Sequence, residues 1–69
     1  MNATIESFTR QEIKDGLEKC TGAQQLLFKR MYSHQNLDAT IDETVDNMPC
    51  DKLDWALSQI ERTLTKKPI

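Results

Sequence analysis

The stretch Asp51-Lys52-Leu53-Asp54-Trp55-Ala56-Leu57-Ser58-Gln59-Ile60-Glu61-Arg62-Thr63-Leu64-Thr65-Lys66-Lys67-Pro68 decides the fold class. Leu53, Leu57, Ile60 and Leu64 recur at spacings of four, three and four, with Ala56 beside them. On a helix of about 3.6 residues per turn that spacing draws one apolar stripe. Asp51 is placed to cap the start. Asp51 and Asp54 lie at the positive end of the helix dipole, and Lys66 and Lys67 at its negative end. Pro68 closes the element, so the pattern predicts a helix over 52–66.

Working back toward the N-terminus, Met48-Pro49 ends a shorter helix expected over 39–47 and capped by Asp38. Leu37, Ile41, Val45 and Met48 are its apolar stripe, and Asp42, Glu43 and Asp46 cover its outside. Ser33-His34-Gln35-Asn36 reads as a polar connection. Before it, Thr21 and Gln24 offer a capping box, in which the Thr side chain and the Gln side chain each satisfy an open backbone N–H. The helix that follows, 22–32, carries Ala23, Leu26, Leu27, Phe28, Met31 and Tyr32 around well over half its circumference. A helix that apolar is expected to be a central one, or to give one flank to a subunit interface. Thr9 and Glu12 suggest a further capping box and a first helix over 10–20, with Ile13, Leu17 and Cys20 on one face. Gly16 shares that side. An interior glycine costs about 1 kcal/mol against alanine, which close packing against another helix would explain. A short extended piece is allowed at Ile5–Phe8, and no longer period-two segment occurs.

These elements predict an all-α fold, a small bundle of three to four helices, with the second and last helices supplying most of the core. The chain has 69 residues, enough for a single helical domain over 1–69, with 1–8 and 67–69 expected to be flexible. Domains this small bury only about 60% of their unfolded surface, so self-association is a natural supplement to the core.

Composition excludes several classes. With 29% charged residues and 38% hydrophobic ones the chain is a folding sequence. A net charge of -2 gives no basic footprint for nucleic acid or an anionic membrane. No apolar run approaches the roughly 20 residues that span a bilayer. Met1 to Arg10 lack the layout of a signal peptide, so a cytoplasmic location is expected, with Cys20 and Cys50 as free thiols. Cys20, the lone His34 and Cys50 are not at metal-ligand spacings, and nothing places a cysteine, a histidine and an orienting group together. Neither a metal nor another cofactor is expected, no catalytic residue is assigned, and the chain reads as a non-enzyme.

Trp55 is the most informative single residue. On the wheel of the last helix it lies about 160–200° from the leucine stripe, on a face with Ser58, Gln59, Arg62 and Lys66. Trp and Arg are enriched at binding hot spots. Trp55, Gln59 and Arg62, with Phe28 and Tyr32 on one flank of the second helix, are therefore the candidate contacts for a protein partner or a second copy. The competing expectation is that Ile5 or Phe8 folds over the indole, or that Arg62 stacks on it. A nucleic-acid regulator is the alternative reading: the first two helices and their Thr21-Gly22 link faintly resemble a helix-turn-helix, with Lys29, Arg30, Lys66 and Lys67 as the basic residues. That reading is disfavoured because a recognition helix reads bases with polar residues near its N-terminus, where this one is apolar. Residues 36–54 hold Asp38, Asp42, Glu43, Asp46, Asp51 and Asp54 against Lys52 alone, six acids to one base and a local charge of -5. A solvated face with charges suited to helix N-termini accounts for them.

The run Gln25-Leu26-Leu27-Phe28-Lys29-Arg30-Met31-Tyr32-Ser33-His34, with Met48-Pro49 and Lys52-Leu53-Asp54-Trp55-Ala56-Leu57 after it, resembles small uncharacterised helical proteins encoded by bacteriophages and prophages. The likeness covers residues 9–66. It implies a bacterial cytoplasm as the working compartment, and it assigns no activity and no functional residue.

Overall fold

The computed structural model describes residues 3–34 and 36–65, with side chains described from Ile5 onward. The described residues form four helices joined by short connections: α1 (Ala3–Glu18), α2 (Gly22–Tyr32), α3 (Ile41–Asp46) and α4 (Cys50–Thr65). No strand occurs among them. The fold is a small all-α bundle.

The last helix follows its pattern. Leu53, Ala56 and Ile60 are buried, and Leu57 is half-buried beside them. Leu64, at the end of the stripe, is more exposed. α4 starts at Cys50, so Asp51 lies in its first turn rather than capping it. Pro49, set directly before α4, uses its carbonyl to accept from the Lys52 N–H at 3.0 Å. Proline suits that place because its fixed φ is ready for a helix.

The partner of α4 is α1, not α2. Ile13 and Leu17 of α1 are fully buried in the same cluster as Leu53, Ala56 and Ile60. Residues 6 and 10 lie against 48 and 50, and residue 16 lies against 60 and 64. The two helices therefore run side by side in the same direction. Their closest approach is at Gly16, where an added Cβ would come 2.5 Å from Ile60 Cγ2. The interior glycine is explained by that contact.

At the other end Arg10 ties three elements together. Its guanidinium donates to the Val45 carbonyl, to the Met48 carbonyl at 2.9 Å and to the Glu6 carboxylate at 2.6 Å. Both carbonyls lie where α3 ends, the Val45 carbonyl also accepting from the Met48 N–H at 3.2 Å, and a cation is favoured there. Lys14 pairs with Asp46 at 3.0 Å nearby. Arg10 is held in place by Glu6 one helical turn earlier, which requires residues 3–8 to be helical. The expected start at Thr9 is corrected for that reason: Thr9 sits inside α1 and its hydroxyl donates to the Ile5 carbonyl at 3.0 Å. The expected extended piece at Ile5–Phe8 is helix, and α1 begins at Ala3. Residues 1–2 and 66–69 lie outside the described residues. α1 ends at Glu18, and Lys19 and Cys20 close it with tighter bonds to Gly16 and Leu17, each 3.1 Å.

α2 begins as expected. Thr21 accepts from the Gln24 N–H, and the Gln24 side chain accepts from the Thr21 N–H at 2.8 Å. Gln25 reaches back to the Leu17 carbonyl at 2.6 Å and fixes the α1–α2 corner. The expectation of a central second helix is corrected. Only Phe28 of α2 is buried, and Ala23, Leu26, Leu27 and Met31 are exposed. The apolar stripes of α1 and α4 satisfy each other, which confines α2 to one side of the pair. His34 ends α2 with φ 53°, a left-handed residue in a place where glycine is commoner.

The third helix is shorter than expected, and its cap is Thr40 rather than Asp38. The Thr40 hydroxyl accepts from the Glu43 N–H at 3.0 Å. Leu37 stays in the connection, partly exposed, while Val45 and Met48 are buried and Ile41 packs beside them. Thr44, buried and polar, donates to the Thr40 carbonyl at 3.0 Å.

The two glycines separate packing from propensity. Gly16→Ala gains helix propensity but drives a methyl into a branched side chain, and overpacking costs about 1–3 kcal/mol. Its urea midpoint should fall. Gly22 has nothing within 4 Å of an added Cβ and no positive φ, so Gly22→Ala should hold or raise the midpoint, by up to about 1 kcal/mol. Equal responses at the two positions would contradict the α1–α4 contact.

Candidate functional site

Because α4 turns Leu53, Ala56 and Ile60 onto α1, the opposite side of the helix faces solvent. Trp55 is 70% exposed. Asp54, Trp55, Ser58, Gln59 and Arg62 line a shallow depression along this face. Ile5 and Phe8 do not cover the indole: α1 lies along the other side of α4, and both residues are themselves exposed. The aromatic pair found among the described residues is Phe28 with Tyr32, centroids 4.6 Å apart, and no cation stacked on Trp55 is found among them.

Exposed single hydrophobic residues are ordinary, and contiguity is what matters. Gln59 borders a second depression, between α2 and α4, lined by Leu17, Gln24, Leu27, Phe28, Met31, Ile60 and Thr63. Leu27 is 60% exposed and Met31 50% exposed at its rim. Trp55, Gln59, Met31 and Leu27 thus form one continuous surface across two helices. Its rim carries Asp54 and Arg62, for which no ion pair is found among the described residues.

The residues expected from the sequence divide accordingly. Trp55, Gln59 and Arg62 come together on this surface. Phe28, 6% exposed, belongs to the core, and Tyr32 is half-buried against it, so the flank of α2 chosen from the sequence faces inward. The exposed flank is that of Leu27 and Met31, which helical periodicity alone assigns to the core of a central helix. Knowing that α1 takes the inner face of α4 would have revealed it. Lys29 directs its ammonium toward the Leu37 carbonyl at 3.4 Å, and Arg30 is exposed at the C-terminal end of α2. Lys66 and Lys67 lie outside the described residues.

The chemistry-bearing side chains are dispersed. Cys20 and Cys50 are free and half-buried. Cys20 donates to the Gly16 carbonyl at 3.4 Å, and burial pushes its thiol up. Cys50 opens α4, where the helix dipole favours a thiolate, but the adjacent Glu6 carboxylate pushes its thiol up instead. No group of three His, Cys, Asp or Glu residues that could hold a metal ion occurs among the described residues. No helix among them is long and apolar enough to cross a membrane.

No family model, curated protein or solved structure matches this chain.

Glu6 provides a pH test of the frame behind the surface. The Arg10 guanidinium, hydrogen-bonded to Glu6, holds its carboxyl below the usual carboxylate range, and a hydrogen bond with Cys50 adds to this. A depressed carboxylate contributes stability above its unfolded value and loses it as pH falls through the folded value. Glu6→Gln should therefore lower the urea midpoint at neutral pH, and the gap to wild type should close on the acid side of the ordinary carboxylate range. A gap independent of pH would contradict an ionised Glu6–Arg10 pair.

Proposed function

We propose that this chain is a protein-interaction module, a small accessory or regulatory protein that docks through the joined outer surfaces of α4 and α2. The observation that carries the reading is the exposed indole of Trp55, continuous through Gln59 with Leu27 and Met31. The arrangement is that of a hot spot: a large aromatic anchor, apolar side chains beside it, and a polar rim containing an arginine. Three of the eight large hydrophobic side chains exposed among the described residues, Leu27, Met31 and Trp55, meet on this surface, and that contiguity favours a docking role. The resemblance to phage and prophage proteins supports a bacterial cytoplasm as the setting and a host or phage protein, or a second copy, as the partner. The reading needs no catalytic group, metal or other cofactor. The nucleic-acid alternative draws no comparable support, since Lys29 and Arg30 stand apart from the Trp55 surface.

Trp55→Ala should leave the circular dichroism spectrum unchanged and shift stability by no more than about 0.5 kcal/mol, as for a surface substitution. It should weaken association about 30-fold or more, the effect of truncating a hot-spot aromatic. A photo-crosslinking residue at position 55, in a chain produced in bacterial cells, should yield an adduct of one discrete mass. The same residue at position 42, on the outside of α3, should yield none. Loss of folding in Trp55→Ala, or adducts that do not distinguish the two positions, would count against the reading.

A further inference from the structure

We propose that the occupant of this surface is a second copy of the chain, docked with its α4 antiparallel to the first about a two-fold axis at Ser58. The proposal rests on the docking role argued above and names its partner. Asp54, Ser58 and Arg62 are all exposed on one face and stand at intervals of four, so they form a single ridge. Within α4 neither charge has an opposite charge three or four residues away: the residues at those spacings are Cys50, Asp51, Leu57 and Ser58 for Asp54, and Ser58, Gln59 and Thr65 for Arg62. In an antiparallel pair centred on Ser58, the residue four before the centre faces the residue four after it. Asp54 of each copy then faces Arg62 of the other, so each charge gains a partner and the pair occurs twice. Such self-complementarity is what a two-fold interface requires, and the small side chain at the centre lets the helices approach.

The apolar groups follow the same symmetry. The axis lies in the interface and crosses α4, so it leaves the α2 side of one copy beside the α2 side of the other. Trp55 stands three residues before the centre and comes level with residue 61 of the second copy. That level holds the second copy's depression between Leu27, Met31, Gln59 and Thr63. Each indole is a knob at the height of the other copy's hole. A heterologous partner would have no reason to match Asp54 and Arg62 about one residue.

The test is charge reversal on the whole chain. Light scattering should give wild type a mass twice the 8.0 kDa of one chain, dissociating on dilution. Asp54→Arg and Arg62→Asp should each weaken the dimer at least about tenfold, because like charges then oppose each other. An equimolar mixture of the two variants should restore it. In the mixed pair one copy carries two bases and the other two acids, so a base faces an acid at each end; D54R/R62D, which carries both reversals on one chain, likewise rebuilds both opposite-charge contacts and should self-associate like wild type. Circular dichroism confirms that each variant is folded. A dimer indifferent to the single reversals, or a D54R/R62D chain that stays monomeric, overturns the proposal. A wild type that is monomeric at every concentration also overturns it, and acrylamide quenching then separates the two claims. A fully quenched Trp55 in that monomer leaves the docking role standing with a different partner, whereas a shielded one removes both.

Discussion

The contact between Gly16 and Ile60 sets the arrangement of everything else. With no side chain at residue 16, α1 lies directly on α4, and Ile13 and Leu17 close over Leu53, Ala56 and Ile60. Two parallel helices cannot be joined by a short turn, so α2 and α3 must carry the chain back to the starting end. Arg10 meets them there, holding the end of α3 through the Val45 and Met48 carbonyls. Once α1 has taken the inner face of α4, the indole three residues past Lys52 has only solvent in front of it.

The same constraint explains the exposure of α2. A bundle of this size has one principal layer of apolar contacts, and α1 with α4 fills it. α2 contributes Phe28, whose ring meets that of Tyr32 at a tilt of 41°, and leaves Leu27 and Met31 at the surface. The proposed docking surface is thus part of the remainder of the packing: Leu27, Met31 and Trp55 are apolar side chains of α2 and α4 that the fold does not enclose. Its rim is polar, and its position on regular helices would keep its shape fixed for the proposed partner.

Local signals in the sequence were legible where the physics is local. The Thr21–Gln24 capping box depends on residues three apart and is found as expected. The α4 stripe and the outward direction of Trp55 follow from helical periodicity alone. Gly16 pointed correctly to a close helix contact without naming the neighbour. What was illegible depends on pairing across the chain. The Thr9–Glu12 signal fits a helix start in isolation, yet Glu6 and Arg10 extend the helix back because Arg10 has carbonyls 35 and 38 residues away to satisfy. The same gap made α2 look central and placed Phe28 and Tyr32, rather than Leu27 and Met31, on the outside. Periodicity shows that a face is apolar; which other helix will cover it is decided by competition among all of them.

The whole arrangement turns on α1 covering the inner face of α4 and leaving the outer one uncovered. Nuclear Overhauser contacts in a dilute, monomeric sample test it most directly. This packing requires contacts between the Gly16 α protons and the Ile60 γ2 methyl, and none from the Trp55 indole to any side chain of α1. Indole contacts to Ile5 or Phe8, or the absence of a Gly16–Ile60 contact, would contradict it.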